Sequence, residues 1–212
     1  MRRNTDNNLL KNLTLTTALV ICSPLVKAEV IDCSAKNSTG ICAKSLQDAR
    51  QKLSNHYLTA LLVSDAPIRL LQDTQNLWLN RAKQCKQASC YLQQIDLRID
   101  DLNVYTSLNQ TLTQHYLKFE KGQPAQQAVH LKLHQLGKDS IKIEGIAYRS
   151  PNNRLETQAV NFLAYTTPQD KTQILDNEHD CKYSFSYSKA LLVVTSQQQG
   201  CERFNGTYRL YD

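Results

Sequence analysis

The sequence predicts an α+β protein: an N-terminal, disulfide-stapled three-helix domain followed by a small antiparallel β-sheet or barrel domain. Apolar residues recur at three-and-four spacing from Leu46 to Leu112, then alternate with polar ones from Val129 onward. Six cysteines remain once an N-terminal leader is set aside, an even number that suits covalent crosslinking.

The leader comes first. Residues 1–28 combine Arg2 and Arg3 with an apolar run from Leu13 to Cys22 and end on Val26 and Ala28 at the spacing of a cleavage site. That is the pattern of a secretory signal peptide, expected to be cut after Ala28. The run is shorter than the roughly 20 residues a bilayer demands. No later stretch reaches that length, so no membrane span is expected after signal cleavage. Cleavage removes four basic residues and one acid from a formal charge of +6 and leaves +3 on 184 residues. Lys and Arg are scattered through the chain, which argues against a nucleic-acid footprint. Export, to the periplasm or beyond it, makes disulfides of Cys33, Cys42, Cys85, Cys90, Cys181 and Cys201 the expected state of the thiols.

From Lys44 to Ser64, Leu46, Ala49, Leu53, Tyr57, Ala60 and Leu61 line one face of a first helix. Pro67 interrupts it, and Ser64 or Asp65 is placed to cap a second. The second helix carries Ile68, Leu71, Gln75, Trp78 and Ala82 on one face and ends near Cys85. A third is expected from about Cys90 to about Tyr116, on Leu92, Ile95, Ile99, Leu102, Tyr105, Leu108 and Leu112. Trp78 and Tyr57 read as core, and Arg81 as a partner for Asp96 or Asp100 of the third helix. A short turn between the first two helices makes them antiparallel, which brings Cys42 toward Cys85 and leaves Cys33 for Cys90. These nested bonds would close loops of 44 and 58 residues, each restricting the unfolded chain by about 4 kcal/mol. The local alternatives, 33 with 42 and 85 with 90, would do less.

Residues 119–127 read as a Gly/Pro-containing linker, which sets a helical domain at 29–118 and a β domain at 128–212. In the latter, "VHLKLH" alternates as a half-buried strand. "SIKIEGIAYRS" and "LETQAVNFLAYTT" flank the turn "PNNR", "KYSFSYS" and "ALLVVTS" flank a lysine-centred turn, and "GTYRLYD" adds a further strand. About six strands without a helix imply an antiparallel sheet or small barrel. Cys181 and Cys201 bracket the second hairpin and are expected to pair, a restriction of about 3 kcal/mol.

The first half also resembles a known family. "DCSAKNSTGIC", "LSNHY", "QNLWLNRAKQC" and "SCYLQQIDLRIDDL" are similar to the LprI-type lysozyme inhibitor N-terminal domain, through Cys33, Cys42, Leu53, Tyr57, Gln75, Trp78, Leu79, Arg81, Cys85, Cys90, Arg98, Ile99 and Leu102. The resemblance covers residues 32–102. Gly40 and Arg50 stand where the family usually has acids, which changes the charge near a helix start. The resemblance implies a protein partner, a lysozyme or another peptidoglycan hydrolase.

Signs of chemistry are few. His130 and His134 share a strand face but lie ~13 Å apart, too far to share a metal. "EHDC", residues 178–181, reads as a polar loop whose cysteine is oxidised. Gly-x-Ser-x-Gly, His-Glu-x-x-His and phosphate-cradling motifs are missing from the sequence. A non-catalytic binding protein without cofactor or metal is therefore expected. Lys83, Lys86 and Ser89, in the turn "KQCKQAS", are the candidate partner-binding residues: cationic or hydroxylic, and anchored by staples that reduce the ordering cost of binding. The alternatives are an envelope structural or assembly factor, or an immunity protein, engaging its partner through the β half.

Overall fold

A computed structural model describes residues 31–33, 40–107, 112–153 and 158–211; the expected signal segment lies outside them. Three helices, α1 (Gln47–Val63), α2 (Ile68–Ala82) and α3 (Ala88–Ser107), precede nine strands. The strands are β1 (Thr113–Glu120), β2 (Gln123–Pro124), β3 (Val129–Gly137), β4 (Ser140–Tyr148), β5 (Ala159–Thr166), β6 (Gln173–Asp176), β7 (Cys181–Ser188), β8 (Leu191–Thr195) and β9 (Gly206–Tyr211). The α+β class and the order of its two parts are as expected.

Helix α1 opens on two short 3-10 turns, Gly40–Cys42 and Lys44–Leu46. Arg50 ties these to the helix by donating to the carbonyls of Ile41 at 2.7 Å and Ala43 at 2.9 Å. An acid at this position could not make these bonds to carbonyls, so the guanidinium secures the turn. Pro67 itself occupies the position before α2 and no side chain caps that helix, contrary to the expected role of Ser64 or Asp65. Ser64 instead closes α1, its hydroxyl donating to the Ala60 carbonyl at 2.6 Å.

The cysteine pairing is local. Cys33 bonds Cys42 and Cys85 bonds Cys90, with Cα separations of 5.5 and 5.6 Å, and the nested pairing is overturned. Helix α1 packs mainly on α3 rather than running as a tight hairpin along α2. Its opening turn therefore lies at the start of α3, where Gly40 sits against the Tyr91 ring so closely that a Cβ would fall 2.9 Å from it. The paired cysteines are close in sequence, nine and five residues apart. Closing such short loops restricts the unfolded state by about 2–3 kcal/mol rather than about 4. Cys181–Cys201 forms as expected, with a Cα separation of 5.8 Å.

The third helix ends earlier than its periodicity implied. Tyr116 lies in β1, which pairs with β3 on one side and β9 on the other. Both faces of β1 are covered: Leu117 and Phe119 pack toward the helices, and Tyr116 toward the interior of the sheet. A strand buried on both sides has no clean alternation, and its apolar positions happened to continue the helical phase. The stretch expected as a linker belongs to the sheet. It holds the end of β1, a left-handed turn at Lys121 and Gly122 (φ 53° and 78°), and β2.

The sheet is antiparallel throughout in the order β5-β4-β3-β1-β9-β8-β7-β6, with β2 beside β1. It curls until its ends meet. Asn177 N–H donates to the Leu163 carbonyl at 2.7 Å, and Leu163 N–H donates to the buried Asp176 carboxylate at 3.0 Å. The interior holds Phe162 against Phe204 and Tyr183, with centroids 5.2 and 5.4 Å apart. Both expected hairpins, β4–β5 and β7–β8, are present. The helices cover one outer face of this near-barrel, and Leu117, Ala128, Tyr148 and Tyr211 of the sheet join the helical core.

Candidate functional site

The turn between α2 and α3 is a closed ring of chain. Its disulfide spans the turn itself, so the expected anchoring is achieved by one bond across the loop. The Tyr91 hydroxyl donates to the Cys85 carbonyl at 2.9 Å, and Asn152 of the β4–β5 connection donates to the Gln84 carbonyl at 2.8 Å. Lys83, Lys86 and Ser89 are exposed around the ring. Lys86 and Ser89 line a cleft facing Pro151, Asn152 and Gln158. Lys83 lies outside that lining, at the end of α2. The closed loop thus presents the Lys86 ammonium group and the Ser89 hydroxyl on a support fixed by covalent and hydrogen bonds, with the Lys83 ammonium group just before it and neighbouring amides able to donate and accept.

Beneath the loop, Trp78 and Tyr57 are core residues, as their spacing implied. The Trp78 indole donates to the Gln94 carbonyl at 2.6 Å. Arg81 does not pair with Asp96 or Asp100, which are exposed. It turns inward, donating to Gln94 Oε1 at 2.7 Å with its guanidinium 3.7 Å over the Tyr148 ring. Burial lowers its pKa. A buried guanidinium gains more from a ring face and an amide oxygen in hand than from carboxylates on the solvent side of the helix.

Arg81 begins a polar layer between helices and sheet. The Tyr148 hydroxyl donates to Asp101, and Asp101 lies 3.8 Å from Arg98. Arg98 is 1 % exposed and donates to Gln75, Thr74 and the Leu71 carbonyl. Further along lie Tyr105, His115, His130 and Lys132, with the two imidazoles 5.5 Å apart. The polar face of β3 is therefore buried under α3, where a half-buried strand was expected. Burial, then the neighbouring Lys132 and His134, pulls the His115 pKa down to about 3. Burial and Lys132 lower that of His130 too. Both rings are neutral at ordinary pH.

His134 joins neither ring. Its Nδ1 faces Thr113 and its Nε2 faces Glu144, each at 2.9 Å, so His130 and His134 share no partner. That Glu144 contact, ahead of one from Lys142, holds the Glu144 pKa down to about 2. Among the described residues no group of three or more His, Cys, Asp or Glu side chains is arranged to hold a metal. The cavity in this layer measures about 20 Å³, room for a single water rather than a substrate. His115 and Lys132 escaped sequence reasoning, and Arg98 entered it only as part of the resemblance and not as a buried group, because a polar residue on a strand or helix face normally signals solvent.

Residues 178–180 form the polar turn expected of them, and Cys181, buried and in its disulfide, begins β7. His179 in that turn is held by Asp176. No helix among the described residues is long and apolar enough to cross a membrane. No family model, no curated protein and no solved structure matches this chain.

Proposed function

We propose that this is an exported, non-catalytic binding protein that presents the Cys85–Cys90 loop to a protein partner, a lysozyme or a related cell-wall hydrolase, and inhibits it. The observation that carries the reading is the ring itself: exposed Lys86 and Ser89 within a loop closed by a disulfide and held by Tyr91 and Asn152, with exposed Lys83 at its entry. Glycoside hydrolases work through paired carboxylates in a cleft. An ammonium group held rigidly would pair with such a carboxylate at little conformational cost. The identity of the partner rests on the resemblance of residues 32–102 to the lysozyme inhibitor domain, and the periplasm is the compartment that resemblance and the leader imply.

The purified mature chain is expected to slow lysozyme digestion of cell walls at micromolar concentration. Lys83→Ala with Lys86→Ala is expected to weaken inhibition at least about tenfold, the loss of one or two charge-assisted contacts. Undiminished inhibition by the double variant would remove the loop from the mechanism. No inhibition by the wild-type chain would remove the hydrolase.

A further inference from the structure

The exposed face of α2 looks across a groove at β2 and the turn that leads into it. The groove measures about 450 Å³, within the size range of small-ligand sites. Asp73, Asn76 and Asn80 of α2 line one wall, Gln123 of β2 and Gln126 line the other, and Leu77 and Pro124 supply apolar surface between them. With Gln84, five of the eight lining residues carry carboxamides, one carries a carboxylate and none carries a cation. The β2 wall is held in place: Gln123 follows the left-handed turn at Lys121 and Gly122, and Ala125 N–H donates to the Lys118 carbonyl at 2.9 Å.

Asn76 and Asn80 lie about one turn apart within α2, and both are exposed. Asparagine is a poor helix former because its side chain competes for backbone hydrogen bonds; a solvent-facing helix position is better served by Ala, Lys, Glu or Gln. Neither asparagine side chain makes an offsetting bond among the described residues, in contrast to Thr74, whose hydroxyl donates to the Leu70 carbonyl at 2.8 Å. The carboxamides of Gln123 and Gln126 are likewise uncommitted among the described residues. Positions that give up helix stability without a structural return are where function is expected. Asp73 adds an acceptor of fixed orientation. Its Oδ2 accepts from the Tyr211 hydroxyl at 2.7 Å and lies 3.9 Å from Arg69 Nε, which leaves Oδ1 for a ligand.

We propose that this groove binds a neutral oligosaccharide, whose hydroxyls bridge Asn76 and Asn80 on one wall and Gln123 on the other, with Asp73 Oδ1 as a further acceptor. A carboxamide both donates and accepts, as a hydroxyl does, so each can take a pair of neighbouring sugar hydroxyls. Asn76 and Asn80 are about 6 Å apart along the helix axis, within the reach of one pyranose ring. Leu77 and Pro124 meet the C–H face of that ring. A phosphate, sulfate or carboxylate ligand would face Asp73 with no cation in the lining to offset the repulsion. The α2 wall offers no free backbone groups, since these are bonded within the helix, so an extended peptide lacks the main-chain partners that a strand edge provides. Lys83, Lys86 and Ser89 do not line the groove, and the site stands apart from the proposed inhibition.

The test is an NMR titration of the full chain that follows the side-chain amide resonances of Asn76, Asn80 and Gln123. The probes are chitotriose, cellotriose and maltotriose, with N-acetyl-trialanine amide as a neutral peptide. Saturable shifts of these resonances with at least one of the sugars at millimolar concentration are expected. Asn76→Ala and Asn80→Ala should each weaken that binding about three- to tenfold, the loss of a neutral hydrogen-bonded contact. Both variants should melt at the wild-type temperature or above it, because alanine is the better helix former. No saturable shift with any of the sugars, binding of the capped peptide in their place, or sugar binding unaltered in both variants overturns the proposal.

Discussion

The Arg81 guanidinium lies 3.7 Å above the Tyr148 ring and joins the end of α2 to the end of β4. The same arginine reaches Gln94 on α3, so one side chain ties both later helices to the barrel. Arg81→Ala is expected to cost about 2–4 kcal/mol, because it removes the cation–π contact and leaves buried Gln94 without its donor. Urea unfolding measures it. A change below about 0.5 kcal/mol would mean that the layer does not hold the helices on.

Acid should loosen the same interface. His115 and His130 face each other and Tyr105 of α3, with Lys132 and His134 of β3 acting on both and Arg98 of α3 on His130; Asp101, Glu144 and Lys142 act on Lys132 beside them. With the folded His115 pKa lowered to about 3 from its ordinary value of 6.5, the unfolded chain takes up the proton first. Stability is thus full above pH 6.5 and falls as pH drops from there toward 3, by the linkage of proton uptake to unfolding. Glu144, with a folded pKa of about 2, adds a loss confined to the range below 4.5. Stability measured against pH in His115→Leu should be flatter between 6.5 and 4.5 than in wild type; parallel curves would exclude the histidine.

Disulfide mapping should recover Cys33–Cys42, Cys85–Cys90 and Cys181–Cys201. Cys85→Ser with Cys90→Ser is expected to lower stability by about 2 kcal/mol, and Cys181→Ser with Cys201→Ser by about 3 kcal/mol, following loop length. Peptides crosslinking 42 to 85 in digests of native protein would contradict the local pairing.

Gly145→Ala should be costly although the substitution is small. A Cβ there would fall 2.7 Å from Leu131 Cδ2 and 2.9 Å from Phe162 Cβ, inside the barrel. Phe162 Cβ is attached directly to its backbone and cannot step aside, so a loss of about 1–3 kcal/mol is expected. Thermal denaturation checks it, and an unchanged melting temperature would show that β4 and β5 can separate.

What the sequence determined by itself is the part written in local periodicity. Three helices, the hairpins β4–β5 and β7–β8, the turn at Lys189 and the Cys181–Cys201 bond all follow from spacing and turn residues within a few dozen positions. Only the tertiary structure decided which faces are covered. His130 and Lys132 look like solvent residues on an alternating strand, yet α3 lies across them; Tyr116 looks like another turn of that helix, yet it is the middle of a strand buried on both sides. The same holds for the cysteines, because the choice of partner depended on whether α1 ran beside α2 or beside α3. Periodicity records how a segment alternates, whereas burial and pairing depend on what packs against it from elsewhere in the chain.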